Sequence, residues 1–242
     1  MESAEYDRMY QLEDAYWWFV GRHHLITGLI QQHFPGRTDL NILDIGCGTG
    51  ALSAKLQHCG TVVSADFSPL ALQYSQKRGL TALARADAMR LPFRDAQFDV
   101  ITALDILEHL PDDAAALREI HRVLKPGGKI FATVPAYQSL WSPHDVALMH
   151  FRRYVSKEVR ARFTEAQLRI RKLSYAMTLL YPVVWAARKL SRHSRGEPKA
   201  SLVAVPETAN RLLVKLLQAE NALVRRCSLP FGVTVLCVAE RP

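Results

Sequence analysis

Asp44-Ile45-Gly46-Cys47-Gly48-Thr49-Gly50 sets three glycines at alternate positions behind a carboxylate. Glycine admits backbone bends closed to other residues and lets a ligand approach the main chain. The loop follows an apolar run, Asn41 to Ile45, and opens a helical one, the place where open α/β sheets bind ligands. Gly46, Gly48 and Ala51 also satisfy a dinucleotide fingerprint. A nicotinamide- or flavin-dependent oxidoreductase therefore fits the loop alone. Asp44 argues against it, because a carboxylate there repels a diphosphate and attracts an ammonium group, directly or through water.

More chemistry-bearing residues stand at the ends of later apolar runs. Asp66 closes the run Thr61 to Ala65, where a carboxylate accepts hydrogen bonds from both hydroxyls of a ribose. Asp87-Ala88 follows a third run, where an acid can accept the adenine amino hydrogen. Farther on, His144 and His150 precede Phe151-Arg152-Arg153-Tyr154 on an expected loop beside the substrate entrance. Histidine exchanges protons near neutral pH, so His144 and His150 are candidate bases. His109, in Leu107-Glu108-His109-Leu110, is a third candidate or a structural residue. Arg152, Arg153 and Tyr154 are candidates for gripping an anionic substrate; loop packing and surface ion pairs are the plain alternative. None of the nine histidines is paired with other ligands at metal-binding spacing, so no metal site is expected. Cys47 and Cys59 have no neighbouring base and are expected to be inert.

The elements that position these residues alternate strand and helix. Strands are expected at Asn41–Ile45, Thr61–Ala65, Thr81–Ala86, Asp99–Leu104 and Lys129–Val134, with helices at Thr49–His58, Ser68–Arg78 and Asp112–Leu124. Ser68 caps the second helix, with Pro69 at its first position. Lys125-Pro126-Gly127-Gly128 stops the third. Repeated β-α-β order implies a mostly parallel sheet with helices on both faces. One helical segment, Glu5 to Gln32, precedes this core and carries Tyr16-Trp17-Trp18-Phe19. After it come a helix at Ser156–Glu165, a strand at Gln167–Tyr175, helices at Met177–Leu190 and Thr208–Arg226, and a strand at Gly232–Ala239. Leu212, Leu213, Leu216, Leu217, Leu223 and Val224 form the apolar side of the last helix. Ser191 to Pro206 reads as a mobile link.

With 242 residues, 49% of them hydrophobic and 22% charged, the chain suits one globular domain. Four cysteines without a CxxC pair suit reduced thiols, and no basic-then-apolar leader is seen, so a cytoplasmic protein is expected. The charge is lopsided: residues 1–150 hold 13 basic and 17 acidic residues, residues 151–242 hold 18 and 6. Such a basic third is either a solvated face or attracted to an anionic partner. No nucleic-acid module accompanies it, so nucleic acid is disfavoured. The run Tyr175 to Ala187 is too short to span a bilayer. It packs in the core, makes a homodimer contact, or lies peripherally at the inner membrane face beside a lipid-like substrate.

Leu43-Asp44-Ile45-Gly46-Cys47-Gly48-Thr49-Gly50, Ala86-Asp87-Ala88 with Leu91-Pro92-Phe93, Leu107-Glu108-His109-Leu110 and Glu119 to Gly128 together resemble class I S-adenosylmethionine-dependent methyltransferases, in particular the ubiquinone and menaquinone biosynthesis group. The likeness covers roughly residues 40–135. It implies a Rossmann-like α/β fold, a seven-stranded mostly parallel sheet with an antiparallel last strand. An N-terminal helical lid (1–38) would precede the cofactor core (39–135). A substrate-side loop and helix (136–166) would follow, then a terminal hairpin (167–242) with a helical insertion (176–230), all in one domain. It further implies S-adenosyl-L-methionine as cofactor, bound by Asp44, Gly46, Cys47, Gly48, Gly50, Asp66, Phe67, Asp87, Ala88 and Leu104, with Asp66 on ribose, Phe67 flanking adenine and Asp87 on its amino group. Trp18 would belong to the lid and Arg22 would pair with the methionine carboxylate; aromatics packed on the sheet edge and a solvated Arg22 are the plain alternative. The expected reaction is methyl transfer to O, N or C of a small-molecule acceptor, lipid-linked or anionic. A relative that holds the cofactor without transferring methyl is the remaining alternative.

Overall fold

Ile42, Leu43, Val100, Ile101, Ile130 and Phe131 are all fully buried, although neighbours along a strand face opposite sides of a sheet. Strands of this kind must be covered on both faces, as parallel sheets are. The computed structural model describes residues 3–191 and 205–242, and shows that sheet. Its strands are β1 (Leu40–Ile45), β2 (Gly60–Asp66), β3 (Leu83–Arg85), β4 (Phe98–Leu104), β5 (Leu124–Pro135), β6 (Arg169–Ala176) and β7 (Thr234–Glu240). Their spatial order is β3-β2-β1-β4-β5-β7-β6. β1 to β5 pair in parallel, and β7 lies antiparallel between β5 and β6. The expected antiparallel last strand is therefore present. Strand order reverses direction across β1 and β4, which opens a crevice at their carboxyl ends.

The helices are α1 (Ser3–Leu12), α2 (Trp17–His33), α3 (Ala51–Leu56), α4 (Pro69–Lys77), α5 (Asp113–Val123), α6 (Pro143–Ala147), α7 (Ser156–Glu165), α8 (Tyr181–Ser191) and α9 (Glu207–Arg226). One face of the sheet packs Leu43, Ile101 and Ile130 against Leu117 and Ile120 of α5 and Phe163 of α7. The other packs Ile42, Val100 and Phe131 against Ile26 and Leu29 of α2, Leu56 of α3 and Val224 of α9. Each such side chain contributes about 1.5–3 kcal/mol on burial. Ser68 caps α4 as expected, accepting the Ala71 N–H at 3.5 Å, and Asp112 caps α5, accepting that of Ala115 at 2.9 Å.

Several boundaries differ for local reasons. The N-terminal segment is two helices, broken where Glu13 turns its side chain toward Thr49. α3 starts at Ala51 because Gly50 adopts left-handed φ of 84°. α8 starts at Tyr181, not Met177: Met177 is left-handed at φ 58°, and the N–H groups of Thr178 and Leu179 donate to the Glu220 carboxylate of α9 at 3.0 and 2.9 Å. The apolar side of α9 is also narrower than expected, since Leu212 and Leu223 are exposed while Glu220 and Asn221 are buried. α6 lies inside what sequence reads as a loop; Ser142 and Asp145 cap it reciprocally. Most of the expected mobile link, Ser191 to Pro206, lies outside the described residues.

Candidate active site

The carboxyl ends of β1, β2 and β4 open into a cavity of about 1360 Å³. Gly46, Cys47 and Gly48 form part of its wall. Gly46 and Gly48 have φ of 69° and 56°, and a Cβ on Gly46 would stand 1.9 Å from Ile106 Cδ1. The loop is thus a cradle that side chains would fill. Behind it the fully buried Asp44 accepts hydrogen bonds from Ser53 Oγ and Thr102 Oγ1, both at 2.6 Å. Burial raises its carboxyl, and these two hydroxyls pull it back.

Asp66 Oδ2 accepts the Gly48 N–H at 3.0 Å and Oδ1 that of Ser68 at 2.8 Å. Each oxygen keeps a lone pair for a ligand hydroxyl. Burial raises this carboxyl, opposed by the Ser68 and Gly48 N–H groups. Phe67, 68% exposed, borders the same cavity, as do Asp87, Ala88 and Leu104. Asp87 Oδ1 accepts the Met89 N–H at 2.9 Å. A ring face, two carboxylates and a backbone cradle are a set of groups that suits an adenosine ligand. Cys47 is a buried thiol pushed up by burial, with Ser75 Oγ at 3.6 Å, which suits packing rather than nucleophilic attack.

Trp18 and Arg22 of α2 also line the cavity. Arg22 Nη1 donates to Asp105 Oδ2, so the guanidinium is not free to serve a ligand carboxylate alone. Its Nε is buried without a partner among the described residues. From the β4 and β5 side come His109, His144, His150 and Arg153. Burial pushes His109 and His144 down to about 4, so both are neutral at physiological pH, contrary to the near-neutral titration expected of a base at His144. His150 Nδ1 lies 3.0 Å from Asp145 Oδ1. Burial alone would raise Asp145, but His150, Arg153 and Arg188 hold its carboxyl well below the usual range.

The expected anion-gripping trio is not assembled as such. Tyr154 is buried in the core and donates its hydroxyl to Asp113 Oδ2 at 2.8 Å. Arg152 reaches Asp113 at 3.3 Å and the Pro111 carbonyl at 3.0 Å; neither Arg152 nor Tyr154 lines the cavity. Arg153 does, but its Nε is paired with Asp145 at 2.7 Å and its Nη1 with the Ala136 carbonyl at 2.8 Å. Two acids missed in the sequence also line the wall. Glu13 accepts the Thr49 hydroxyl and stands 3.5 Å from Arg78. Glu108 is wholly buried, and burial followed by the charge of Asp105 raises its carboxyl well above the ordinary value. Glu108, His109 and His150, which no spacing in the sequence links, converge in space.

Fold and cavity together define a Rossmann-like α/β architecture with a ligand crevice at the carboxyl ends of its central strands. Residues 43–132 match the family described as methyltransferase domain. Over 139 residues, 53% of this chain and 56% of the relative, it is 41% identical to demethylmenaquinone methyltransferase of Lactiplantibacillus plantarum. It is 31% identical over 142 residues to ubiquinone biosynthesis O-methyltransferase of Xanthomonas oryzae, covering 53% of this chain and 59% of that one. The chain thus spans a little over half the length of these curated relatives. In fold it resembles Haemonchus contortus phosphoethanolamine N-methyltransferase 2 in complex with S-adenosyl-L-methionine, with a TM-score of 0.60, 18% identity and coverage of 89% and 52% of the two chains.

Proposed function

We propose that this chain transfers a methyl group from S-adenosyl-L-methionine to a small-molecule acceptor. The observation that carries the reading is the meeting, in one cavity, of the Gly46–Gly48 cradle with Asp66, Phe67 and Asp87 on one side and the His109–His150 pair on the other. The cofactor supplies an activated sulfonium methyl. The protein's task is then to orient the acceptor and exclude water, and positioning of this kind is worth on the order of 7–11 kcal/mol. Asp66 accepts the ribose hydroxyls, Asp87 the adenine amino group, and Phe67 covers the base. Asp44 fixes the loop through Ser53 and adds negative charge behind the amino end. Arg22, held by Asp105, closes the site from α2.

Trp18, Asp66, His150 and Val184 come from the four successive parts of the chain and line one cavity, which supports a single functional domain. The relatives are named for demethylmenaquinone and ubiquinone biosynthesis, and we extend to this chain an acceptor with an apolar, lipid-linked part. Val183, Val184, Ala187 and Leu213 offer it an apolar wall. Exposed Leu179, Val183, Trp185 and Leu190 on and beside α8 favour peripheral membrane contact; none of the described helices is long and apolar enough to cross a membrane.

Calorimetry with S-adenosylhomocysteine and NAD side by side tests the reading, followed by labelled-methyl transfer into a cell metabolite extract. Homocysteine-cofactor binding at micromolar concentration and a labelled product are expected. Binding of NAD alone would overturn it.

A further inference from the structure

Two guanidinium groups in the acceptor wall of the cavity share a single carboxylate. Arg153, after β5, and Arg188, on α8, both line the cavity, and both reach Asp145. Asp145 is fully buried, and its two oxygens are already well occupied. Oδ1 faces Arg153 Nε at 2.7 Å and His150 Nδ1 at 3.0 Å. Oδ2 accepts the Ser142 N–H at 2.9 Å and the Ser142 hydroxyl at 3.2 Å. A carboxylate has about four lone-pair positions, so these partners fill it. Arg188 Nη1 therefore stands 3.5 Å from Oδ2 and donates to the Ser142 hydroxyl oxygen.

The charges in this part of the wall do not cancel. Asp105 is matched by Arg22. Glu108, the other carboxylate near Arg153, is raised well above its ordinary value and supplies no second negative charge. Asp145 alone then faces two arginines, which leaves one positive charge over among the described residues. The excess is felt by its neighbours. Burial and then the Arg153 charge lower Arg188 to about 10; burial and then the Arg188 charge lower His144 to about 4. An uncompensated buried charge is costly, and a bound anion removes that cost. A donor for it is in place. The Arg153 side chain is 3% exposed, with Nε on Asp145 and Nη1 on the Ala136 carbonyl, and its Nη2 has no partner among the described residues. Around this charged spot the lining is apolar, with Val183, Val184 and Ala187 of α8.

We propose that Arg153 and Arg188 seat a carboxylate group of the acceptor, whose apolar body lies along Val183, Val184 and Ala187. A guanidinium presents planar, paired donors that suit a carboxylate. The charge left over is one, which a carboxylate matches; a phosphate monoester carries about 1.5–2 and overfills it. Ser142 and Asp145 are then positioning residues, holding Arg188 of α8 beside Arg153 of the loop after β5. Arg152, the neighbouring basic residue, is engaged by Asp113 and takes no part. Naming this ligand as the methyl acceptor rests on the methyl-transfer reading; the carboxylate seat does not.

The test uses the full-length protein near neutral pH and probes of one chain length: octanoate, octanol and octyl phosphate. Calorimetry measures each on wild type, Arg188→Met and Arg188→Lys, with and without saturating S-adenosylhomocysteine. Wild type should bind octanoate more than about 10-fold tighter than octanol, as one charge-assisted hydrogen bond provides, and tighter than octyl phosphate. Arg188→Met keeps the stem and removes the charge, so it should lose that preference while binding octanol as before. Arg188→Lys should keep most of it. A merely structural arginine would leave the octanoate-to-octanol ratio unmoved. Melting curves report that each variant is folded; should Arg188→Met not fold, Arg188→Gln takes its place. No octanoate preference in wild type, an unchanged ratio in the folded charge-removing variant, or tighter octyl phosphate overturns the proposal. Cofactor binding without octanoate preference ends this proposal and leaves the methyl-transfer reading standing. The expected octanoate pattern without S-adenosylhomocysteine binding in any sample supports the seat and removes that reading.

Discussion

The carboxylate of Asp66, at the end of β2, accepts the backbone N–H of Gly48, in the loop after β1, at 3.0 Å. One side chain therefore both shapes the cradle and faces the ligand. Asp66→Ala removes ligand hydrogen bonds and frees the Gly48 and Ser68 N–H groups. Affinity for S-adenosylhomocysteine should fall by about 1–3 kcal/mol, the range for a lost partner in a buried site. Calorimetry measures it directly; a change below about threefold would show that Asp66 does not touch the ligand.

Gly48→Val should abolish binding for two reasons that the sequence did not separate. The left-handed φ of 56° is strained for any β-branched residue, and the new Cβ would stand 2.6 Å from Met9 Cε in α1. Met9→Ala relieves only the second. The double variant should therefore regain packing of α1, seen as restored resistance to proteolysis near residue 9, without regaining affinity. Recovery of affinity in the double variant would mean that the clash, not the loop conformation, decides.

Legibility in the sequence followed locality. The β-α-β order, the glycine loop and the placing of Asp66 and Asp87 on the cavity wall are readable because each is set by a few residues around a strand end. Long-range geometry was not. His150 meets Glu108 through a left-handed Met149 and a backbone bond to Phe151, and no spacing rule signals that contact. The Arg152–Tyr154 run misled for the same reason. Tyr154, at an isolated bridge to Ala136, turns into the core, and only the fold shows Asp113 waiting for it. The partly acidic run Gln11 to Asp14 gave a faint signal: a glutamate at a helix break, before an aromatic cluster, is a candidate for burial.

Tyr154→Phe tests whether that residue is structural. Its hydroxyl bonds Asp113, which keeps Arg152 at 3.3 Å and Arg162 at 3.7 Å when the hydroxyl is gone. Stability in urea should fall by about 1 kcal/mol, the usual net worth of one hydrogen bond. The KM for the acceptor, once identified, should not move. A raised KM with unchanged stability would return Tyr154 to the substrate.

Glu13 makes stability depend on pH near neutrality. Burial raises its carboxyl from 4.5 to about 7, against the opposing Thr49 hydrogen bond and Arg78 charge. Below pH 4.5 the folded and unfolded chains both hold the proton, and the stabilisation linked to it is complete. Between 4.5 and 7 only the folded chain holds it, so raising pH favours unfolding; above 7 nothing further is lost. At about 1.4 kcal/mol per unit, the loss is at most about 3.5 kcal/mol. Because Glu13 fastens the corner between α1 and α2 to Thr49 beside the glycine loop, the loosening should concentrate there. Urea midpoints at pH 5, 6, 7 and 8 should slope downward in wild type and flatten in Glu13→Gln, whose amide oxygen still accepts the Thr49 hydroxyl. Hydrogen exchange of residues 5–20 should quicken over the same interval. An identical slope in both proteins would assign the dependence to another group.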